Sequence, residues 1–284
     1  MSPNPDQAAA ALRIDAPAVA ARLTEFITAQ TRAAGFERLT LGLSGGLDSA
    51  VAYYLAVAAL GPAAVYPLLL PYRQSSPDSL TDALACVEAL GGGHTIADIS
   101  PQVDAYFDAP TTPPAADRDA DLLRRGNKMA RERMAILFDH SAAQRALVMG
   151  TSNKTELLLG YGTLHGDLAC AFNPLADLYK TQVRALAAHL QLPQALLDKP
   201  PSADLFPGQT DEAQLGWSYP ELDAALHCLV DEQQPPEAVA AAGHDPALVE
   251  HVVRLMRAYR FKRRLPTYAR ADGQPLDFDR DWGW

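Results

Sequence analysis

The 284-residue sequence contains no uninterrupted apolar run approaching the ~18 residues of a membrane-spanning helix. Its first stretch, residues 1–10, carries no basic segment leading into an apolar core and a cleavage site, so neither export nor membrane insertion is expected. Cysteine is scarce: Cys86, Cys170 and Cys228 are odd in number and have no C-x-x-C spacing. This argues against a disulfide framework or a zinc site and makes a reducing cytoplasm the expected setting. Positive charge is also in deficit. With 24 Lys and Arg against 34 Asp and Glu, a formal charge of -10 disfavours a general nucleic-acid surface. A local anion site is not disfavoured, because backbone N–H groups and a few lysines hold phosphate whatever the net charge. The seven histidines, among them His94, His165 and His251, show no paired metal-ligand spacing and are read as structural, with His165 nearest a candidate site. No internal repeat is visible.

What is present is an ordinary globular composition, 48% hydrophobic and 20% charged, in a chain long enough to bury a sizeable core. One stretch organises it: Leu39-Thr40-Leu41-Gly42-Leu43-Ser44-Gly45-Gly46-Leu47-Asp48-Ser49-Ala50. Its first half suits a buried parallel strand, and Gly45-Gly46 let the backbone approach a ligand with no Cβ in the way. Asp48 and Ser49 then open an Ala-rich helix over 50–59, whose free N–H groups would face an anion. The turn is neither a G-x-G-x-x-G fingerprint nor a Walker loop, since no Gly-Lys-Ser/Thr follows the glycines. Two glycines alone suit a plain strand-to-helix turn equally well. Ser44, Asp48 and Ser49 in register with them favour a phosphate cradle.

The rest of the chain alternates strand and helix. Residues 17–34 read as a helix, with Pro17 at its first position and Val19, Leu23, Phe26 and Ile27 on one face. A strand over 64–70 follows, weakened by Pro67, then a helix from Pro77 to about Leu90 and a strand over 94–99. Residues 108–121 read as an exposed loop, 122–140 as a long helix and 146–149 as a fourth strand. The expected fold is a doubly wound parallel α/β sheet, with the segments after Leu43, Leu70 and Met149 converging beyond the strands' carboxyl ends. Past Pro174 the pattern becomes helical over 177–190, 219–230, 236–242 and 246–260, with 193–216 irregular. The expectation is one domain over 1–284, with a core over about 17–200 and a helical addition over about 201–284.

Asp48 and Glu156 lie on segments that this sheet would bring together, and two carboxylates beside a triphosphate are a common way to hold Mg²⁺. Each alone could be a helix-start acid facing the dipole. Lys180 could neutralise phosphate charge or a developing oxyanion, although most isolated lysines are merely solvated. The basic run Lys262-Arg263-Arg264 reads either as a solvated helix end or as a substrate contact.

The glycine turn resembles the S-G-G-x-D-S pyrophosphate loop of enzymes that split ATP into AMP and pyrophosphate. A wider set of motifs resembles NAD synthetase: Gly126-Asn127 with Ala130-Arg131 and Arg133-Met134; Gly150-Thr151-Ser152-Asn153-Lys154-Thr155-Glu156; Gly160-Tyr161-Gly162-Thr163 with Gly166-Asp167; Pro174-Leu175 with Asp177-Leu178-Tyr179-Lys180-Thr181; Pro201-Ser202-Ala203-Asp204-Leu205; Gln209-Thr210-Asp211-Glu212 with Leu215-Gly216; and Lys262-Arg263 before Pro266. The resemblance implies an adenine nucleotide alpha hydrolase-like, Rossmann-like fold and a ligase of the ammonia-dependent type. That type amidates deamido-NAD through an acyl-adenylate, releasing AMP and pyrophosphate. It implies that Leu43, Ser44, Gly45, Gly46, Leu47, Asp48, Ser49 and Ala50 cradle ATP, with Thr151, Lys180 and Ser202 touching it. Asp48 and Glu156 would hold Mg²⁺. Arg131, Phe261 and Lys262 would hold deamido-NAD, and Asp167 would join Asp48 and Lys180 as a catalytic group by orienting the reacting region.

The sequence departs from that family at Leu164, where a lysine is usual, and at Ala171, where an aspartate is usual; both belong to the deamido-NAD pocket. Ser202 stands for a frequent threonine and Phe261 for a common histidine. The roughly forty residues before the glycine loop leave no room for the amidase domain of glutamine-using members, so the expected nitrogen source is free ammonia or ammonia from a separate protein. The resemblance also implies a homodimer, with deamido-NAD across the subunit interface. Two rival readings are another ATP pyrophosphatase-type amidating or thiolating enzyme, and a catalytically inactive nucleotide-binding module.

Overall fold

Leu39, Thr40 and Leu41 are wholly enclosed. With Gly42 they form the inner strand β1 (Leu39–Gly42) of a computed structural model that describes residues 10–264 except 203 and 207. β2 (Val65–Leu69) flanks it on one side and β4 (Leu147–Val148) on the other, with β3 (Thr95–Ile96) beyond β2. All pairings are parallel, and Leu39 lies opposite both Val65 and Leu147. The fold is thus the expected α/β class. The chain steps outward from β1 to β3 and returns across the sheet to β4, so strand order reverses between β1 and β4. A ligand crevice belongs at the carboxyl ends of those two strands.

Pro67 is accommodated within an inner strand. Leu43 N–H donates to Leu68 O and Ala97 N–H to Leu69 O, so Leu68 faces β1 while residues 67 and 69 face β3. Because β3 begins only opposite Leu68, the N–H that proline lacks has no neighbouring strand to meet.

The helices of the sheet region are α1 (Ala16–Ala33), α2 (Leu47–Leu60), α3 (Pro77–Leu90), α4 (Ser100–Phe107), α5 (Arg118–Gln144), α6 (Lys154–Leu159), α7 (Lys180–His189) and α8 (Gln194–Asp198). α1 starts where the Asp15 carboxylate accepts from Ala18 N–H (3.1 Å) and Pro17 occupies the first turn. α2 is apolar nearly all round and lies in the core, with Val51, Leu55, Ile27, Leu39, Val183 and Leu186 in one cluster. The opposite face of the sheet is covered by Leu68, Leu70, Ile99, Val103, Met129 and Leu137.

Three stretches differ from the sequence reading. The third strand shrinks to two exposed edge residues, and α4 follows it directly. α5 begins at Arg118, inside the expected loop, because Asp117 caps it by accepting from Ala120 N–H (2.8 Å). The region 193–216 is not wholly irregular: it contains α8 and α9 (Asp211–Leu215). Helices of five residues complete too few turns to show an apolar period.

Beyond α9 the elements are α10 (Tyr219–Leu226), a π turn over His227–Asp231, α11 (Pro236–Ala241), α12 (Pro246–Ala258) and a 3₁₀ turn over Arg260–Arg263. Leu222, Leu226, Leu248 and Val252 pack on Leu159 of α6 and on Tyr179, which precedes α7. The C-terminal helices therefore press on the segments that carry the candidate residues. No helix among the described residues is long and apolar enough to cross a membrane.

Candidate active site

The loop after β1 is locked by its two serines. Ser49 Oγ donates to Gly46 O (3.0 Å) and accepts from Ser44 N–H (3.2 Å), while Ser44 Oγ accepts from Gly46 N–H (3.3 Å). Gly45 has φ +75°, and a Cβ there would stand 1.9 Å from Ser79 O in the first turn of α3. Only glycine permits that approach. Gly46 is the N-cap of α2 and contributes no side-chain cap, which leaves first-turn N–H groups of α2 available to an anion. Leu43, Ser44, Gly45, Gly46, Leu47, Asp48 and Ser49 line a cavity of about 1220 Å³. Ala50 does not: it is wholly buried, and its N–H donates to Gly46 O (3.1 Å). Leu43 N–H is likewise taken by Leu68 O, so its place in the cradle is structural.

Charged groups converge beside that loop. Lys180, at the first position of α7 and only 4% exposed, bonds to Asp48 through Nζ, which also lies 3.8 Å from Glu156 Oε1. Asn153 joins the two strand ends. Its Nδ2 donates to Asp48 Oδ1 (3.0 Å), its Oδ1 accepts from Glu156 N–H (2.9 Å), and Glu156 Oε2 accepts from Asn153 N–H (3.1 Å), a capping box at the start of α6. Asp211 is buried nearby and accepts from the hydroxyls of Tyr161 and Tyr219, each at 3.0 Å. Burial opposes the charge on Lys180, yet Asp48, Glu156 and Asp211 outweigh it and raise its pKa above the ordinary lysine value. Burial, followed by the charge of Asp48, pushes Glu156 well above the usual carboxylate range, and burial likewise raises Asp211.

Thr151, Ser202 and Asp167 also line the cavity, and Ser202 Oγ accepts from Asp204 N–H (3.0 Å). Asp167 is open to the cavity but ringed by protein atoms that push its pKa up, and it accepts from Thr163 N–H (2.8 Å). Lys262 reaches the cavity from the 3₁₀ turn, its Nζ donating to Gly160 O (2.8 Å) and Gly162 O (2.6 Å). Two residues expected in the acceptor pocket are not brought there. Phe261 is 58% exposed, and Arg131 is exposed with its Nε donating to Leu164 O (3.2 Å). That contact uses the Leu164 carbonyl, so it does not depend on the side chain at this departure from the family pattern. Ala171 and His165 are exposed and outside the cavity lining. Ala203 and Pro266, within the resembling motifs, lie outside the described residues.

The sequence reading gave no role to Lys199, whose Nζ donates to Asp82 Oδ2 (2.7 Å), Ser79 Oγ (3.3 Å) and Gly45 O (3.2 Å), fastening the glycine loop to α3. A lysine ahead of two prolines belongs to no periodic pattern; its nearness to Ser202 was the available signal. Asn153, Tyr161 and Asp211 stand in quoted motifs, but their bonds to the cluster depend on the tertiary fold.

The donor set suits Mg²⁺. Among the described residues no group of three or more His, Cys, Asp or Glu side chains could form a metal cage. Asp48 and Glu156 instead offer two carboxylates next to a phosphate cradle, and Mg²⁺ is characteristically held by one or two carboxylates together with phosphate oxygens and water. A cation would also favour the ionised form of Glu156, which burial disfavours.

Comparison with known proteins bears on this geometry. The family described as NAD synthase matches residues 19–266. The chain is 46% identical over 276 residues to an NH(3)-dependent NAD(+) synthetase from Trichlorobacter lovleyi, covering 96% of this chain and 98% of that one. Among solved structures, an NMN synthetase from Francisella tularensis superposes with a TM-score of 0.79 at 30% identity, covering 90% of this chain and 99% of that one. The NH3-dependent NAD synthetase from Campylobacter jejuni gives 0.75 at 33% identity, covering 90% and 100%. A parallel sheet with its glycine loop and acidic lysine cluster at the strand-order reversal thus meets a match along nearly the whole sequence, and the chain belongs to the NAD synthase family.

Proposed function

We propose that this chain makes NAD from deamido-NAD, ATP and ammonia. The observation that carries the proposal is one cavity running from the glycine loop and the Asp48, Lys180 and Glu156 cluster to Asp167 and Lys262, in a chain so close to an NH3-dependent NAD synthetase. In the first step an oxygen of the nicotinate carboxylate attacks the α-phosphorus of ATP, the bond to the β-phosphate bridge breaks, and an acyl-adenylate and pyrophosphate form. In the second, ammonia attacks the acyl carbon, loses a proton, and AMP departs. A free carboxylate is a poor acylating group because its leaving oxide is too basic; adenylation supplies a better one.

The first-turn N–H groups of α2 and the hydroxyl-locked loop would hold the departing pyrophosphate. Lys180 would exchange its bond to Asp48 for the charge gathering on the phosphates, a contribution that is large where water is excluded. Thr151 and Ser202 would contact ATP, and Asp167 would orient the reacting carboxyl group. Asp48 and Glu156 would hold Mg²⁺, which would supply further neutralisation of phosphate charge. Lys262 would meet deamido-NAD. Arg131 and Phe261 lie outside this chain's cavity, which suits a homodimer whose second subunit completes the acceptor pocket. Ammonia would come from solution or from a separate protein, in the cytoplasm.

Purified protein with Mg-ATP, deamido-NAD and ammonium should yield NAD, AMP and pyrophosphate in equal amounts, and glutamine in place of ammonium should yield no NAD. Release of ADP, or failure to form NAD, would overturn the reading. A parallel arm with the deamidated mononucleotide tests the likeness to the Francisella NMN synthetase; preference for that substrate would replace the dinucleotide as acceptor.

A further inference from the structure

Asp223 is a wholly buried carboxylate on α10, in the C-terminal helical region, and it lines no part of the cavity. Its two oxygens have different partners. Oδ1 accepts from the Thr155 hydroxyl (2.5 Å), and Oδ2 accepts from Thr181 N–H (2.8 Å). Thr155 Oγ in turn accepts from Lys180 N–H (3.1 Å). The first two backbone N–H groups of α7 are thereby satisfied by residues distant in sequence. The N-cap residue itself is Tyr179, whose hydroxyl donates to Asp231 (2.9 Å) instead of capping the helix.

Thr155 immediately precedes Glu156 on α6, and Thr181 immediately follows Lys180 on α7. One carboxylate therefore grips both helices at the residue next to the one that enters the Asp48, Lys180 and Glu156 cluster. A negative charge at a helix N-terminus is also favourably placed against the dipole. A second tie runs alongside: Lys154 Nζ donates to Asp231 (2.7 Å) and Asp177 (2.9 Å), again joining α6 to the C-terminal region. None of the residues in these two ties except the backbone neighbours Lys180 and Glu156 reaches the cavity lining.

We propose that Asp223 is a positioning residue for the ATP end of the site, acting through Thr155 and the start of α7 to set where Lys180 and Glu156 point. The proposal rests on the functional reading above for the roles of those two residues. Misplacing charged groups at a reacting centre by a fraction of an ångström is costly even when the fold is intact.

The test uses Thr155→Val, which keeps the side chain's shape but removes the hydroxyl, with Thr155→Ser to restore it. Thr155→Val should lower kcat about tenfold and weaken Mg-ATP binding, measured by calorimetry, about tenfold, which corresponds to ~1.4 kcal/mol. The KM for deamido-NAD should stay within about twofold, and Thr155→Ser should recover most of both losses. Asp223→Ala should reproduce the split between kcat and deamido-NAD KM in whatever fraction folds. Unchanged kcat and Mg-ATP affinity in Thr155→Val, or a uniform loss that simply tracks the folded fraction, would overturn the proposal. If the parent forms no NAD, the functional reading fails, while the ratio of Mg-ATP affinities still decides the role of Asp223.

Discussion

The two ends of the cavity are built differently. At the end proposed for ATP the charged side chains are tied down: Lys180 to Asp48, Asp48 to Asn153, Glu156 to the Asn153 cap of its own helix, and Lys199 to the glycine loop. At the end proposed for the acceptor, Lys262 is held by two backbone carbonyls and lies over the Tyr259 ring, while Arg131 and Phe261 are exposed outside the cavity lining. The difference follows from topology. Strand ends and a helix N-terminus place the first set as a by-product of folding the sheet, whereas Arg131 stands on the exposed side of α5 and Phe261 and Lys262 come from a short 3₁₀ turn. The departures at Leu164 and Ala171 lie outside the cavity lining, apart from the tied cluster around Asp48 and Lys180.

The largest effect expected is at the tight end. Asp48→Asn removes a charge proposed to hold Mg²⁺ and takes from Lys180 its hydrogen-bonded carboxylate, so kcat for pyrophosphate release should fall about 100-fold or more. A variant with near-normal turnover would mean that this cluster does not serve the phosphates. Next comes Gly45→Ala. Its Cβ would collide with Ser79 O and the backbone would remain at positive φ, so a loss of roughly 1–3 kcal/mol of stability and weaker ATP binding are expected together. Unaltered melting and unaltered ATP affinity would show that the loop is less constrained than its contacts indicate.

The loose end should respond in a different parameter. Lys262→Ala should raise the KM for deamido-NAD about tenfold with little change in the KM for ATP. If both constants rose equally, the two ends would be one energetic unit and the contrast drawn above would fail.

Legibility in the sequence divides along the same line. The strand, glycine turn and helix start of residues 39–50 could be read locally, because each residue's conformational preference agrees with its neighbours'. The convergence of Asp48 with Glu156 needed only the alternation of strands and helices. Lys180 was placed through resemblance, and its position against Asp48 was not readable from spacing. Phe261 and Arg131 were named through resemblance, but no local signal tells whether a surface residue faces its own chain's cavity. Asp223 carried no signal: a single acid in an amphipathic helix reads as solvent-facing, and only the packing of α10 on α6 and α7 buries it.

That burial gives the smallest and most selective prediction. Burial pushes the Asp223 carboxyl up to about 6, against the lowering effect of its bonds from Thr155 and Thr181 and of the charge on Lys180. In the unfolded chain it titrates near the ordinary aspartate value of about 3.9. The folded state therefore binds this proton more tightly, and the associated stability is present below that ordinary value and lost as pH rises through about 6. Asp223→Asn cannot titrate, yet its amide can donate to Thr155 Oγ while its carbonyl accepts from Thr181 N–H. The melting temperature of Asp223→Asn minus that of the parent should thus increase by a few degrees between about pH 5 and about pH 7.5. A difference that stays flat over that interval would mean that the carboxylate is stabilised where it sits. The hold on α6 and α7 would then carry no electrostatic cost from Asp223, and its bonds from Thr155 and Thr181 would fully offset its burial.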